Sequence, residues 1–212
     1  MFTVNNKYKK EIFKALSFAF FLMLILSSSF LILEPSLTGA ADDTDAVDVT
    51  LAVTSTISLD SPSNLALDDI PGTGATADEY VTWTVTTNNS SGWKLEVNAG
   101  TDPAMLGVGS TANQFANYTE GTPGTPEAWS VAASAAEFGF GATGTYKLAK
   151  FDTDKYMGFA TTTKEEVATR AAASAGGGDA TAVHFKAEVG SSKFQPSDTY
   201  KATITATATT LP

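Results

Sequence analysis

Tyr80-Val81-Thr82-Trp83-Thr84-Val85-Thr86-Thr87, then Asn88-Asn89-Ser90-Ser91-Gly92, then Trp93-Lys94-Leu95-Glu96-Val97 reads as two alternating strands joined by a tight polar turn, a hairpin. Val81, Trp83 and Val85 share one face of the first strand, and Trp93, Leu95 and Val97 share one face of the second. Side chains alternate across a strand, so each strand carries one apolar face that must be buried. Two tryptophans on such faces place the core here.

Further strands flank it. Val47, Val49, Leu51, Val53, Ile57 and Leu59 alternate with polar or small residues, which predicts a long strand over 46–59. Residues 60–79 form a polar connection with turn residues at Pro71-Gly72 and Gly74. Residues 98–126 read mostly as loop, with a short strand at Met105–Val108. Glu137-Phe138-Gly139-Phe140 suggests another strand, and Tyr146–Phe151 with Tyr156–Ala160 a broken pair. Over 161–175 a capping-box pattern at Thr162–Glu166 and a run of alanines favour a short surface helix or a loop. Val183, Phe185, Ala187 and Val189 mark a clear strand. A final one runs Tyr200–Ala208, with Tyr200, Ala202, Ile204, Ala206 and Ala208 inward and a threonine row outward. Many short alternating strands without a βαβ rhythm predict an all-β fold, an antiparallel β-sandwich of Ig-like type.

Before these strands stands a leader. Lys7, Lys9, Lys10 and Lys14 precede an almost wholly apolar stretch from Ala15 to Leu33, followed by Glu34-Pro35 and Thr38-Gly39-Ala40-Ala41. That order is the one found in secretory signal peptides, with cleavage expected after Ala40 or Ala41. The stretch is also long enough for a retained membrane anchor. In both cases the lysines stay inside and residues 42–212, read as a single β-sandwich domain, lie outside the cytoplasm. This remainder has 9 basic and 21 acidic residues, a net charge of −12. Such a balance argues against nucleic acid and anionic lipid surfaces as partners. The chain has no cysteine, which removes thiol nucleophiles, thiolate zinc sites and disulfides together. A bacterial exported protein fits that composition.

Chemistry-bearing motifs are sparse. His184 is the single histidine and is expected to face solvent, with no Ser/His/Asp set around it. Asp42-Asp43-Thr44-Asp45 and Asp152-Thr153-Asp154 space carboxylates by two, and Asp68-Asp69 adds a third acidic spot. Neither spaced run has the closing glutamate of a calcium loop, so these read as solvated turns, with a weak calcium site as the alternative and no other cofactor expected. Glu137 and Asp152, expected in loops, are the acids an exported hydrolase would need, and no motif surrounds them. Asn88, Asn89 and Asn117 open Asn-x-Ser/Thr triplets that a bacterial chain carries by chance.

At Gly92-Trp93-Lys94-Leu95-Glu96-Val97 and at the ending Thr199–Thr207 with Leu211-Pro212, the chain resembles the WxL domain of bacterial cell-surface proteins. That resemblance implies a β-rich module held noncovalently at the cell wall. The family's second Trp-x-Leu would fall near 204–209, where this chain has only Ile, Ala and Thr. The layout is also similar to exported Ig-like and fimbrial-type sandwiches. Alternation puts Trp93 in the core; a surface position beside Trp129 would instead make Trp93, Leu95 and Trp129 the envelope contact. The function expected is therefore non-enzymatic, structural or adhesive, at the cell surface or secreted, with an envelope component or other surface proteins as partners. The membrane is a partner only if the leader is retained. The alternative is a filament (pilin- or fimbrial-like) or surface-array subunit that self-associates by donating strand 46–59.

Overall fold

The computed structural model describes residues 46–60, 62–160 and 163–212. The leader and the Asp42–Asp45 run lie outside the described residues. The chain divides into two units, Met1–Leu51 and Ala52–Pro212. In the first, residues 46–51 have no regular structure, and Val47, Val49 and Leu51 are exposed.

The second unit is all-β. Its strands in chain order are β1 (Ile57–Asp60), β2 (Ala75–Thr87), β3 (Trp93–Ala99), β4 (Met105–Gly107), β5 (Gln114–Asn117), β6 (Glu127–Ala128), β7 (Ala136–Thr143), β8 (Lys155–Tyr156), β9 (Glu165–Arg170), β10 (Asp179–Val189), β11 (Tyr200–Ala202) and β12 (Ile204–Thr210). They form a seven-stranded sheet in the order β1-β2-β10-β7-β5-β4-β11, a three-stranded sheet β12-β3-β9, and the pair β6-β8. Pairing is antiparallel except between β5 and β7, which run parallel through Ala116↔Glu137 and Asn117↔Phe138.

The two larger sheets pack on one core. Trp83 and Val85 of β2, Phe138 and Phe140 of β7, and Val183, Phe185 and Val189 of β10 face Trp93, Leu95 and Val97 of β3 and Val167 of β9. Phe159 joins Phe138, Phe140 and Phe185 in an aromatic stack with centroids 4.3–6.2 Å apart.

The expected hairpin is an arch. β2 is bonded to β1 on one edge and β10 on the other, and β3 to β12 and β9, so the two strands belong to different sheets. Their apolar faces therefore look at each other across the core rather than lying side by side. The Asn88–Gly92 link is built for this crossing. Asn89 Nδ2 donates to the carbonyls of Gly92 (2.8 Å) and Leu211 (2.7 Å), tying the C-terminal end to the arch. Gly92 adopts φ +103°, and a Cβ there would run into the backbone of Arg170–Ala172.

Three other expectations are corrected. The last strand is two: β11 pairs with β4 in the large sheet, the chain crosses at Thr203, and β12 pairs with β3 in the small one. Segment 165–170 is a strand, β9, not a helix or loop. Its Val167 and Ala168 are fully buried beside β3, so tertiary pairing overrides the helix preference of its residues. Of the run 46–59, only Ile57 onward enters a ladder, and 46–56 is unpaired.

A buried polar clamp joins the sheets. Trp93 Nε1 donates to Asp179 Oδ2 (3.0 Å), and Arg170 Nη1 donates to both Asp179 oxygens (2.7 and 2.9 Å). Arg170 also lies over the Tyr146 ring (4.7 Å), which meets Trp93 edge-on. Asp179 starts β10 in the large sheet, whereas Trp93 and Arg170 belong to the small one.

Candidate functional site

The outer face of β2-β10-β7 is organised in three rows set by strand register: Thr76–Glu188–Glu137, Asp78–Lys186–Gly139 and Tyr80–His184–Gly141. The Phe138-Gly139-Phe140-Gly141 pattern puts phenylalanines into the core and bare backbone outward. Over those glycines run β8 and Trp129. A Cβ on Gly141 would stand 2.7 Å from the Lys155 carbonyl, and one on Gly139 would stand 2.7 Å from that of Met157 and 3.1 Å from the Trp129 ring. Met157 continues this segment by exchanging two backbone bonds with Phe140 (2.9 and 2.8 Å).

The side chains above the sheet satisfy one another. Tyr156 Oη donates to Asp78 Oδ2 (2.6 Å), and Lys186 Nζ sits 3.2 Å from the same oxygen, 4.8 Å from the Tyr156 ring centre and 5.8 Å from that of Trp129. Trp129 Nε1 donates to Glu188 Oε2 (2.7 Å), while its ring stacks on Tyr118 (4.4 Å, 15°). Burial pushes the Tyr156 phenol far above its ordinary value, helped by its hydrogen bond to Asp78 and that residue's charge. Tyr118 is raised chiefly by burial as well. Glu137, directly opposite Glu188, is raised by burial first, with the neighbouring carboxylate adding repulsion.

His184 stands at the margin of this layer, in a shallow depression of about 350 Å³ lined by Asp78, Tyr80, Thr143, Asp154 and Tyr156. Its Nε2 is 3.1 Å from Thr143 Oγ1, its Nδ1 is 3.7 Å from Asp78 Oδ1, and its ring centre is 5.2 Å from that of Tyr80. A hydroxyl, an imidazole and a carboxylate thus fall in line, a grouping that sequence reading missed because β2, β7 and β10 are distant in the chain. The carboxylate is beyond hydrogen-bond reach of the ring, and Asp78 is already engaged by Tyr156 and Lys186. From Ala182 to Val189, around His184, β10 lies between two hydrogen-bonded neighbours, so its amides there are committed to ladders rather than aimed at the depression as oxyanion donors. What this arrangement offers chemically is a polar, aromatic-edged surface patch.

The residues singled out from sequence are not brought together. Trp93 and Leu95 are 0% exposed in the core, while Trp129 is half-buried in the outer layer. Glu137 is on β7 rather than in a loop. Asp152 follows a 3-10 turn and accepts from Lys147 Nζ (2.9 Å); that hydrogen bond, and then the lysine's charge, holds its carboxyl below the usual range. Among the described residues no three His, Asp or Glu side chains gather as a metal cage. The asparagines have structural partners: Asn88 binds Thr54 and Thr56, and Asn117 binds Ala104 and Asp102.

A second candidate is the apolar stretch that precedes β1 in the chain. Val47, Val49, Leu51 and Val53 are 80%, 90%, 89% and 78% exposed, a period-two apolar row with which no strand pairs among the described residues. Just after it the chain is fixed: Thr56 N–H donates to Asn88 Oδ1 (2.7 Å), and Thr87 Oγ1 donates to the Thr56 carbonyl. Compared with known proteins, the chain matches no family model, and no curated protein matches it.

Proposed function

We propose that this is an exported, non-enzymatic protein of the cell surface, structural or adhesive, built on an Ig-like sandwich and held noncovalently by neighbours in the cell envelope. The observation that carries this reading is the exposed row Val47-Val49-Leu51-Val53, a strand-patterned segment that lies a few residues after the leader. Exposed apolar alternation at the start of a well-packed β unit is costly unless another surface covers it. The leader order and the acidic outer region support the extracytoplasmic address. Support for a WxL-like wall contact narrows to Trp129, because Trp93 and Leu95 are consumed by the core.

The same row favours a second reading, a subunit of a filament or surface array. Support for an exported hydrolase is weaker: the paired Glu137 and Glu188 lie side by side on one sheet face, and Glu188 is tied to Trp129 and Thr76.

The test is cosedimentation of the exported protein with purified cell envelopes. Retention that survives washing and is reversed by urea is expected. Protein that stays in the supernatant, or never leaves the cytoplasm, would overturn the reading.

A further inference from the structure

The exposed row and one particular sheet edge have matching dimensions. Residues 47–53 number seven, as does β12 (Ile204–Thr210). β12 is bonded to β3 along one edge, and among the described residues its other edge carries no strand. β1, four residues long, comes near β12 without bonding to it.

Burial across the small sheet shows the edge is incomplete. Inward residues of β3 (Trp93, Leu95, Val97, Ala99) are 0–1% exposed. One strand over, the inward residues Ile204, Ala206 and Ala208 are only half-buried, although they pack against the same core. The apolar face of this sheet therefore runs out into solvent at β12, under two alanines too small to close it. A strand added there with bulky inward side chains would finish the layer. Segment 47–53 has that composition: Val47, Val49, Leu51 and Val53 on one face, and Asp48, Thr50 and Ala52 on the other. Its outward face would lie beside Thr205, Thr207 and Thr209, and threonine pairs across strands are favourable.

We infer that residues 47–53 of one copy add as a strand to the free edge of β12 in a second copy. The donor belongs to another copy because residues 54–56 are anchored to Thr87 and Asn88, so the chain would have to reverse within those three residues to reach its own β12. Donor and acceptor are different surfaces of one chain, so the contact is head-to-tail and extends into open chains of subunits rather than closing as a symmetric dimer. The inference rests on the extracytoplasmic reading above and names the partner for its exposed row.

The chain has no cysteine, which allows a clean test. Thr50 is the centre of the donor and Thr207 the centre of β12, so the two meet whichever direction the added strand runs. The double variant Thr50→Cys/Thr207→Cys, produced as the full chain in its exporting cell, is oxidised mildly and run without reductant. A ladder of dimers and larger species is expected, and each single-cysteine variant should stop at dimer. Adding Leu51→Asp, a change at an 89% exposed side chain that leaves the fold intact, should abolish the ladder. An internal link that only shifts the monomer, or no link at all in protein recovered from the cell surface, would overturn the inference while leaving the surface address standing. Protein that never leaves the cytoplasm would defeat that address instead, a failure read separately from the cell fraction.

Discussion

Asp179 ties the two sheets together by polar contact. Its carboxylate, 4% exposed, takes the Trp93 indole and the Arg170 guanidinium at once. Asp179→Ala would leave both donors without an acceptor inside a packed core. We expect a loss of about 3–5 kcal/mol, read from the urea midpoint, as for breaking a buried pair from one side. The opposite sign is expected at Thr181, which is fully buried and whose hydroxyl has no partner among the described residues. Thr181→Val removes an unpaired polar group at nearly equal volume and should stabilise by about 1 kcal/mol.

Glu137 gives a pH signature. Its folded-state pKa is raised above the ordinary 4.5 by burial and by Glu188, so the fold favours its neutral form. The contribution is complete below pH 4.5 and is lost as pH rises through the folded value. Glu137→Gln keeps the neutral form at every pH. Its melting temperature should exceed the parent's at pH 7 and converge with it below pH 4.5.

At the scale of elements, the glycines of β7 decide whether β8 and Trp129 can lie over the sheet. Gly139→Val would force its side chain against the Met157 carbonyl and the Tyr118 side chain. The expected cost is about 1–3 kcal/mol, with loss of the near-ultraviolet circular dichroism of the Tyr118–Trp129 stack. This layer was barely legible in the sequence. Phe138-Gly139-Phe140 announced a strand, but nothing local said that bare backbone faced outward to receive a distant segment. Period-two faces were legible where strands are long, as in β2, β3 and β10, because burial of one face is written residue by residue. Pairing was not: an arch and a hairpin share the same alternation, and only the occupied edges of β2 and β3 tell them apart. β9 was hidden for a related reason, since its two glutamates, Ala168 and the alanines just after it suit a helix until β3 needs a neighbour.

For the whole molecule, the core was located correctly by Trp83 and Trp93, while the site was not. The Asp78–His184–Thr143 grouping draws on three strands, and the Trp129–Glu188 bond spans 59 positions. Such convergence follows from topology, which no local pattern carries. The alternation over 46–59 described a strand more than half of which is unpaired in the single chain, and the proposed assembly rests on this mismatch between pattern and pairing.

Hydrogen exchange tests that proposal most directly, on protein recovered with isolated envelopes and again on the same protein after release from them. Slow amide exchange over 47–53 is expected in the assembled state and fast exchange once the protein is free, with the β core protected in both. Equally fast exchange over 47–53 in both states would contradict the proposal.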